Sequence, residues 1–174
     1  MEMRLGEVMA WRSTFWTIVE EMARNPVDWL NGSVQPNPDA VNSYRWLSMV
    51  GYARIREIVL QDLGSALIYL PSSVKDFQSP ELRPYLDKYV RGSGGADAEE
   101  RVKTLKMLWD AVGTEFGGRH ELYERNYQGS HEQVRLLVHW DTAGSGKERE
   151  LEEFAEQAMS EYDLNGWTIP ELRD

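Results

Sequence analysis

The chain has 174 residues with 19 Lys+Arg against 29 Asp+Glu, a formal net charge of −10, and no cysteine. That length suits one domain of ordinary size. The missing cysteines exclude a disulfide scaffold, a cysteine-ligated zinc or iron–sulfur site within this chain, and thiol nucleophile chemistry. Three histidines, His120, His131 and His139, are too few for an all-histidine metal centre. The acidity is concentrated at the end: residues 147–174 hold nine acidic and three basic side chains, leaving residues 1–146 nearly balanced. A net negative chain argues against nucleic acid as a principal partner, because phosphate neutralisation needs an excess of Lys and Arg. No apolar run approaches the ~20 residues that span a bilayer, and the N-terminus MEMRLGEVMA lacks a signal-peptide core. The expectation is a cytoplasmic protein without a membrane partner. Seven Trp and eight Tyr are many for this length, and suit either an aromatic-rich core or ligand pockets and interfaces.

In chain order, residues from about Leu5 to Arg24 predict an amphipathic helix. Val8, Trp11, Phe15, Ile18 and Met22 follow the 3-4 spacing of one continuous stripe, and Pro26 closes it. The Trp11/Phe15/Trp16 group reads as core or interface packing rather than a ligand-stacking box. Asn25 to Ala40, with three prolines and a glycine, predicts a loop. A second helix runs from Pro38 or Asp39 towards Leu63, with Tyr44, Leu47, Ile55 and Ile58 on one face and Gly51 permitting close approach.

SALIYLPSS, closed by Pro71, fits either a final helical turn or a short extended piece. Ser79-Pro80-Glu81 predicts a short helix carrying Leu82, Tyr85, Leu86 and Tyr89. Asp97 with Glu100 three residues on is a capping box for a helix bearing Val102, Leu105, Leu108, Trp109 and Val112. A break and restart is expected around Gly117-Gly118. Ser130 with Gln133 caps a helix bearing Val134, Leu137 and Val138; DTAGSG is a linker, and Ser145 with Glu148 starts a last helix with Leu151, Phe154, Ala158 and Tyr162 on one side. NGWTIPELRD reads as an irregular end. No convincing pair of strands is visible, so the fold class is all-α, a helical bundle.

The chemically informative piece is Gly113 to His131, GTEFGGRHELYERNYQGSH. Adjacent glycines let a backbone approach a ligand and leave the N–H groups of a following helix start accessible. Arg119 at such a start would act with the helix dipole on an anion, and Arg119, Tyr123 and Asn126 share one helical face. A cation, a phenol and an amide behind a Gly-Gly break suit a phosphate or pyrophosphate. On the residues alone, a helix break with a surface Arg119–Glu115 pair is the stronger reading of this stretch. His120 and His131 fit either an acid/base pair or ordinary structural hydrogen bonding.

That segment closely resembles the signature near the C-terminus of the oxygenase component of the 4-hydroxyphenylacetate 3-hydroxylase family. MAWRSTFW, ARNPVDW, LIYLPSSVKDF, PELRPYLDKYVRGS and VKTLKMLWDAVG resemble the same family in the same order, over nearly all of residues 5–140. The resemblance implies a fold like that of acyl-CoA dehydrogenases, with this chain (residues 1–146) as the C-terminal helical bundle and 147–174 as an acidic helical tail. It implies FAD, supplied reduced by a separate reductase, a phenolic substrate hydroxylated ortho to its hydroxyl from a flavin C4a-hydroperoxide, and a homo-oligomer, expected to be a tetramer, whose subunits share FAD sites. Arg119 and Asn126 match motif positions expected to contact FAD, with Gly117 and Gly118 beside them and Gln61 and Ser65 as weaker candidates. No catalytic residue is carried over, since those gripping the phenol belong to the other domains. The alternative is a free-standing, non-catalytic assembly or flavin-binding bundle. A related dehydratase branch with a [4Fe–4S] cluster needs cysteine thiolates that this chain lacks.

Overall fold

The computed structural model describes residues 1–160; the expected Tyr162 contact and the NGWTIPELRD end lie outside them. The described chain is helical apart from one small ribbon. Its elements are α1 (Glu2–Arg24), β1 (Val27–Asp28), β2 (Val34–Gln35), α2 (Pro38–Leu63), α3 (Val74–Gln78), α4 (Arg83–Tyr89), α5 (Ala98–Val112), α6 (Glu115–Gln128), α7 (His131–Gly144) and α8 (Lys147–Ser160). They form two compact units. One comprises Met1–Thr14 and Leu47–Ser130, the other Phe15–Trp46 and the described residues from His131 to Ser160.

In the first unit the N-terminal turns of α1 lie against the second half of α2. Arg4 pairs with Asp62 at 3.0 Å, and the Arg54 guanidinium reaches Glu7 through Nε at 2.6 Å and Nη2 at 2.9 Å. That two-pronged hydrogen bond, helped by the charge of Arg54, holds the Glu7 carboxyl below its usual range. Val8 and Trp11 of the expected stripe are half-buried here. The core of this unit is Ile58 of α2, Leu67, and Ala98, Val102 and Leu105 of α5. Leu67 belongs to a 3-10 turn over Gly64–Leu67, so SALIYLPSS begins as a tight helical turn rather than an extended piece. The turn packs on α5.

α5 begins as the sequence requires. Asp97 Oδ1 accepts from the Glu100 N–H at 2.8 Å, and Glu100 reaches back to the Asp97 N–H at 3.3 Å, satisfying two of the free donors of a helix start. Ser79 caps as expected too, with its Oγ accepting from the Leu82 N–H at 3.3 Å, though regular helix begins only at Arg83. A second capping box, Ser73 with Asp76, starts the short helix α3.

In the second unit, Phe15, Ile18 and Met22 continue the half-buried stripe of α1, with the Phe15 ring meeting Tyr44 edge-on at 5.5 Å. Ala40 and Val134 are buried, and the buried amide of Asn42 donates to Asp141, tying α2 to α7. The Asn25–Ala40 loop contains the ribbon, where Val27 faces Gln35 and Asp28 faces Val34. It turns through Asn31 at φ 57° and Gly32 at φ 75°. An Asn-Gly pair is the commonest way to supply two left-handed residues in a hairpin. α7 extends to Gly144, so DTAG is helical and the expected linker shrinks to Ser145-Gly146. Every described residue of α8 is exposed, including Leu151 and Phe154.

Replacing Asp97 with alanine should cost about 1 kcal/mol of stability, the usual worth of an N-cap, read as a lowered urea midpoint with an unchanged slope. An unchanged midpoint would show that the box contributes nothing.

Candidate functional site

The motif segment differs from expectation in where its helix starts. The break falls at Gly113-Thr114, and Gly117 and Gly118 lie inside α6. Thr114 is the cap: its Oγ1 accepts from the Gly117 N–H at 3.0 Å, and its carbonyl accepts from the Gly118 N–H at 2.9 Å. The glycine N–H groups are thus engaged within the helix, and Arg119 stands in the second turn rather than at a free helix start. The helix dipole does not assist Arg119 there, because its effect is confined to the first turn.

The two glycines have different surroundings. A Cβ on Gly117 would stand 2.4 Å from the Asp110 carbonyl oxygen and 2.9 Å from that of Ala111. Gly117 is the point where α6 crosses the end of α5, and its missing side chain sets that approach. A Cβ on Gly118 would meet nothing within 4 Å.

This crossing fixes which face of α6 turns inward. Gly117, Glu121, Arg125 and Gln128 are half-buried, with Glu121 and Arg125 paired and the Ser48 hydroxyl donating to Gln128 Oε1 at 3.0 Å. Between α2, α5 and α6 lies a cleft of about 430 Å³, walled by Met49, Tyr52, Ala111 and Phe116. Its margin carries the carboxylates of Asp110, Glu121 and Glu124 against the single guanidinium of Arg125. Such a margin disfavours a phosphate.

The opposite face of α6 bears the residues singled out in the sequence. Arg119 is exposed and pairs with Glu115 at 3.0 Å, the surface pair foreseen as the alternative reading. Tyr123 and Asn126 are exposed beside it. The structure therefore brings Arg119, Tyr123 and Asn126 onto one face, as their spacing requires. Gln61 gives its amide to Glu57 at 3.0 Å on α2, and Ser65 is exposed on the 3-10 turn; neither is joined to α6 by a described hydrogen bond. His120 stacks on Phe116, centroids 6.3 Å apart with the planes 5° from parallel, and lies 3.9 Å from Glu124.

The sequence reading missed Phe116 and Tyr127, both largely exposed. With His120 and Tyr123 they fall at i, i+4, i+7 and i+11, a helical stripe of rings. The signal was present, but a helix broken at Gly117-Gly118 would cut it in two.

A family model described as the C-terminal part of 4-hydroxyphenylacetate 3-hydroxylase matches residues 1–156. The chain belongs to that family. It is 55% identical over 172 residues, 99% of its length, to the (3S)-3-amino-3-(3-chloro-4-hydroxyphenyl)propanoyl-[peptidyl-carrier protein SgcC2] monooxygenase of Streptomyces globisporus. It is 54% identical, over the same share, to the oxygenase component of 4-nitrophenol 2-monooxygenase from a Rhodococcus species. The chain spans 33% of the length of each. The oxygenase component of a 4-hydroxyphenylacetate 3-monooxygenase, solved in complex with FAD, superposes with a TM-score of 0.73 at 29% identity, over 90% of this chain and 32% of that one. An archaeal 4-hydroxybutyryl-CoA dehydratase from N. maritimus shares the fold at a TM-score of 0.66 and 18% identity, over 89% of this chain and 31% of that one. The all-α reading holds, with the Asn31-Gly32 ribbon as its one departure among the described residues.

The two glycines should separate on substitution. Gly117→Ala should lower stability by about 1–3 kcal/mol through overpacking. Gly118→Ala should leave stability unchanged or raise it by up to about 1 kcal/mol, since alanine is the better helix former. Equal thermal shifts for the two variants would contradict this assignment.

Proposed function

We propose that this chain is the C-terminal flavin-binding and assembly portion of a phenol ortho-hydroxylase that uses reduced FAD. The supporting observation is the outward face of α6, where Arg119 and Asn126 present a guanidinium and a carboxamide, in a chain of the 4-hydroxyphenylacetate 3-hydroxylase family. This donor set fits a flavin dinucleotide: Arg119 for a phosphate oxygen and Asn126 as donor and acceptor to ribityl or ribose hydroxyls, while Gly118, on the flank of α6 towards Tyr52 and Arg125, would give a ligand room alongside the helix. In this reading Gly117 serves the site through the α5–α6 crossing, and Gln61 and Ser65 stand further along as lesser contacts.

Bound FAD supplies the oxygen-activating chemistry. The chain's own share is to bind and orient the cofactor and to exclude water. Arg119 would leave Glu115 to meet the phosphate, a modest cost because that pair is exposed. No side chain of this portion is assigned a proton transfer. The phenol, received free or on a carrier protein, is gripped by parts of the oxygenase that precede this portion, and a separate reductase provides the reduced flavin. The two relatives above, 55% and 54% identical to this chain, are named for different phenols, which supports placing substrate choice outside this portion.

Assembly is the second role. Leu5, Met9, Trp16 and Val19 line an exposed strip of α1 beside its half-buried stripe. A helix apolar on so wide an arc is normally covered on both sides, and we assign that cover to the rest of the oxygenase and to further copies in a cytoplasmic homotetramer. The acidic segment 147–174 is placed outside the flavin-binding part.

Two measurements test this reading. The chain alone, given reduced FAD, oxygen and a simple phenol, should form no catechol, while the complete oxygenase should; catechol from the chain alone would favour a self-sufficient enzyme. In the complete oxygenase, Arg119→Ala should weaken FAD binding about tenfold, the loss of one charge-assisted contact. An unchanged dissociation constant would remove Arg119 from the site.

A further inference from the structure

α8 carries a feature that neither the packing of its unit nor the flavin reading uses. Leu151, Phe154, Ala155, Ala158 and Met159 fall at i, i+3, i+4, i+7 and i+8, one continuous helical face. That face is open, with Leu151 64%, Phe154 72% and Met159 64% exposed. Glu150 borders it on one side, and Glu152 and Glu156 on the other. Glu153 points away from it and pairs with Arg149 at 2.7 Å. The three bordering glutamates have no ion pair among the described residues. The helix is tethered at its start, where the Lys147 amine meets the Asp39 carboxylate of α2.

The same unit offers the complement. A groove of about 340 Å³ between α2 and α7 is lined by Ser43, Trp46, Arg135 and Val138. Trp46 is 41% exposed, and no carboxylate lines the groove. Among the described residues Arg135 has no ion pair and the Ser43 hydroxyl no hydrogen bond. The chain's own α8, exposed throughout, leaves this groove uncovered. α7 and α8 have 14 residues each, about 21 Å at ~1.5 Å per residue, so a helix of this length can lie along the groove wall from end to end.

We propose that the α2–α7 groove of one copy receives α8 of a second copy, with Phe154 against Trp46 and Val138 and a bordering glutamate on Arg135. The inference rests on the homo-oligomer reading above and names one of its joints. An amphipathic helix binds a groove through a few apolar anchors, and charge complementarity fixes which surfaces meet. The apolar face has acids at its border and the groove has an unpaired cation without acids. Pairing of α8 with another α8 is disfavoured, since it would bring six unpaired glutamates together.

The test uses the complete oxygenase, with Phe154 replaced by the photoreactive benzoylphenylalanine. Irradiation should give a covalent dimer on a denaturing gel, and peptide mass mapping should place the link on a peptide containing Trp46 or Val138. In a second arm, Arg135→Glu should weaken subunit association about tenfold in sedimentation velocity. Adding Glu150→Lys, Glu152→Lys and Glu156→Lys to that variant should restore it. An oligomeric parent whose link maps elsewhere, to α1, to another α8 or within one subunit, would overturn this joint and leave the homo-oligomer reading intact. Parent-like association of Arg135→Glu would do the same. A parent oxygenase that sediments as a monomer would overturn both readings.

Discussion

The arrangement of this chain's motif depends on one close approach. At the end of α5 the backbone turns at Gly113-Thr114, Thr114 caps the next helix, and Gly117 comes so near the Asp110 and Ala111 carbonyls that no side chain fits between them. An α-helix has a single rotational degree of freedom once one residue is fixed against a neighbour. With Gly117 held inward, residues four and eleven positions on, Glu121 and Gln128, must also turn inward, and Arg119, Tyr123 and Asn126 must turn out. The outward placement of Arg119, Tyr123 and Asn126 is a consequence of where a glycine is obligatory.

The same constraint divides the labour of the Gly-Gly doublet. One glycine serves the fold and the other leaves the helix surface open. A helix-interior glycine lowers stability relative to alanine by roughly 0.5–1 kcal/mol, and at Gly118 nothing within the described structure requires it. A ligand lying against the helix gives that position a physical reason. Arg119 is exposed and paired with Glu115 on its own helix, so exchanging that partner for a ligand costs little.

Much of this was legible beforehand. The stripe from Val8 to Met22 is half-buried along its full length, because 3-4 spacing states the buried face of a helix directly. The Asp97–Glu100 box starts α5 where its chemistry says it should. The departures share a cause: Gly-rich and turn-rich stretches carry the sequence signature of breaks. Gly117-Gly118 and DTAG are helical, because a Thr114 cap and the continuing i→i−4 bonds outweigh a local preference for turns. Asn31-Gly32 was placed in a loop and makes a hairpin tip, since both residues tolerate positive φ. In the site, the face shared by Arg119, Tyr123 and Asn126 followed from spacing alone. Phe116 and Tyr127 did not, because their stripe is continuous only if the helix starts at Thr114.

The central claim is that the outward face of α6, and not the cleft between α2 and α6, meets the flavin. The most direct measurement is a crystal structure of the complete oxygenase with FAD. The account predicts polar atoms of Arg119 and Asn126 within about 3 Å of the cofactor. FAD lying against Met49 and Tyr52 in the cleft, or away from α6 altogether, would contradict it.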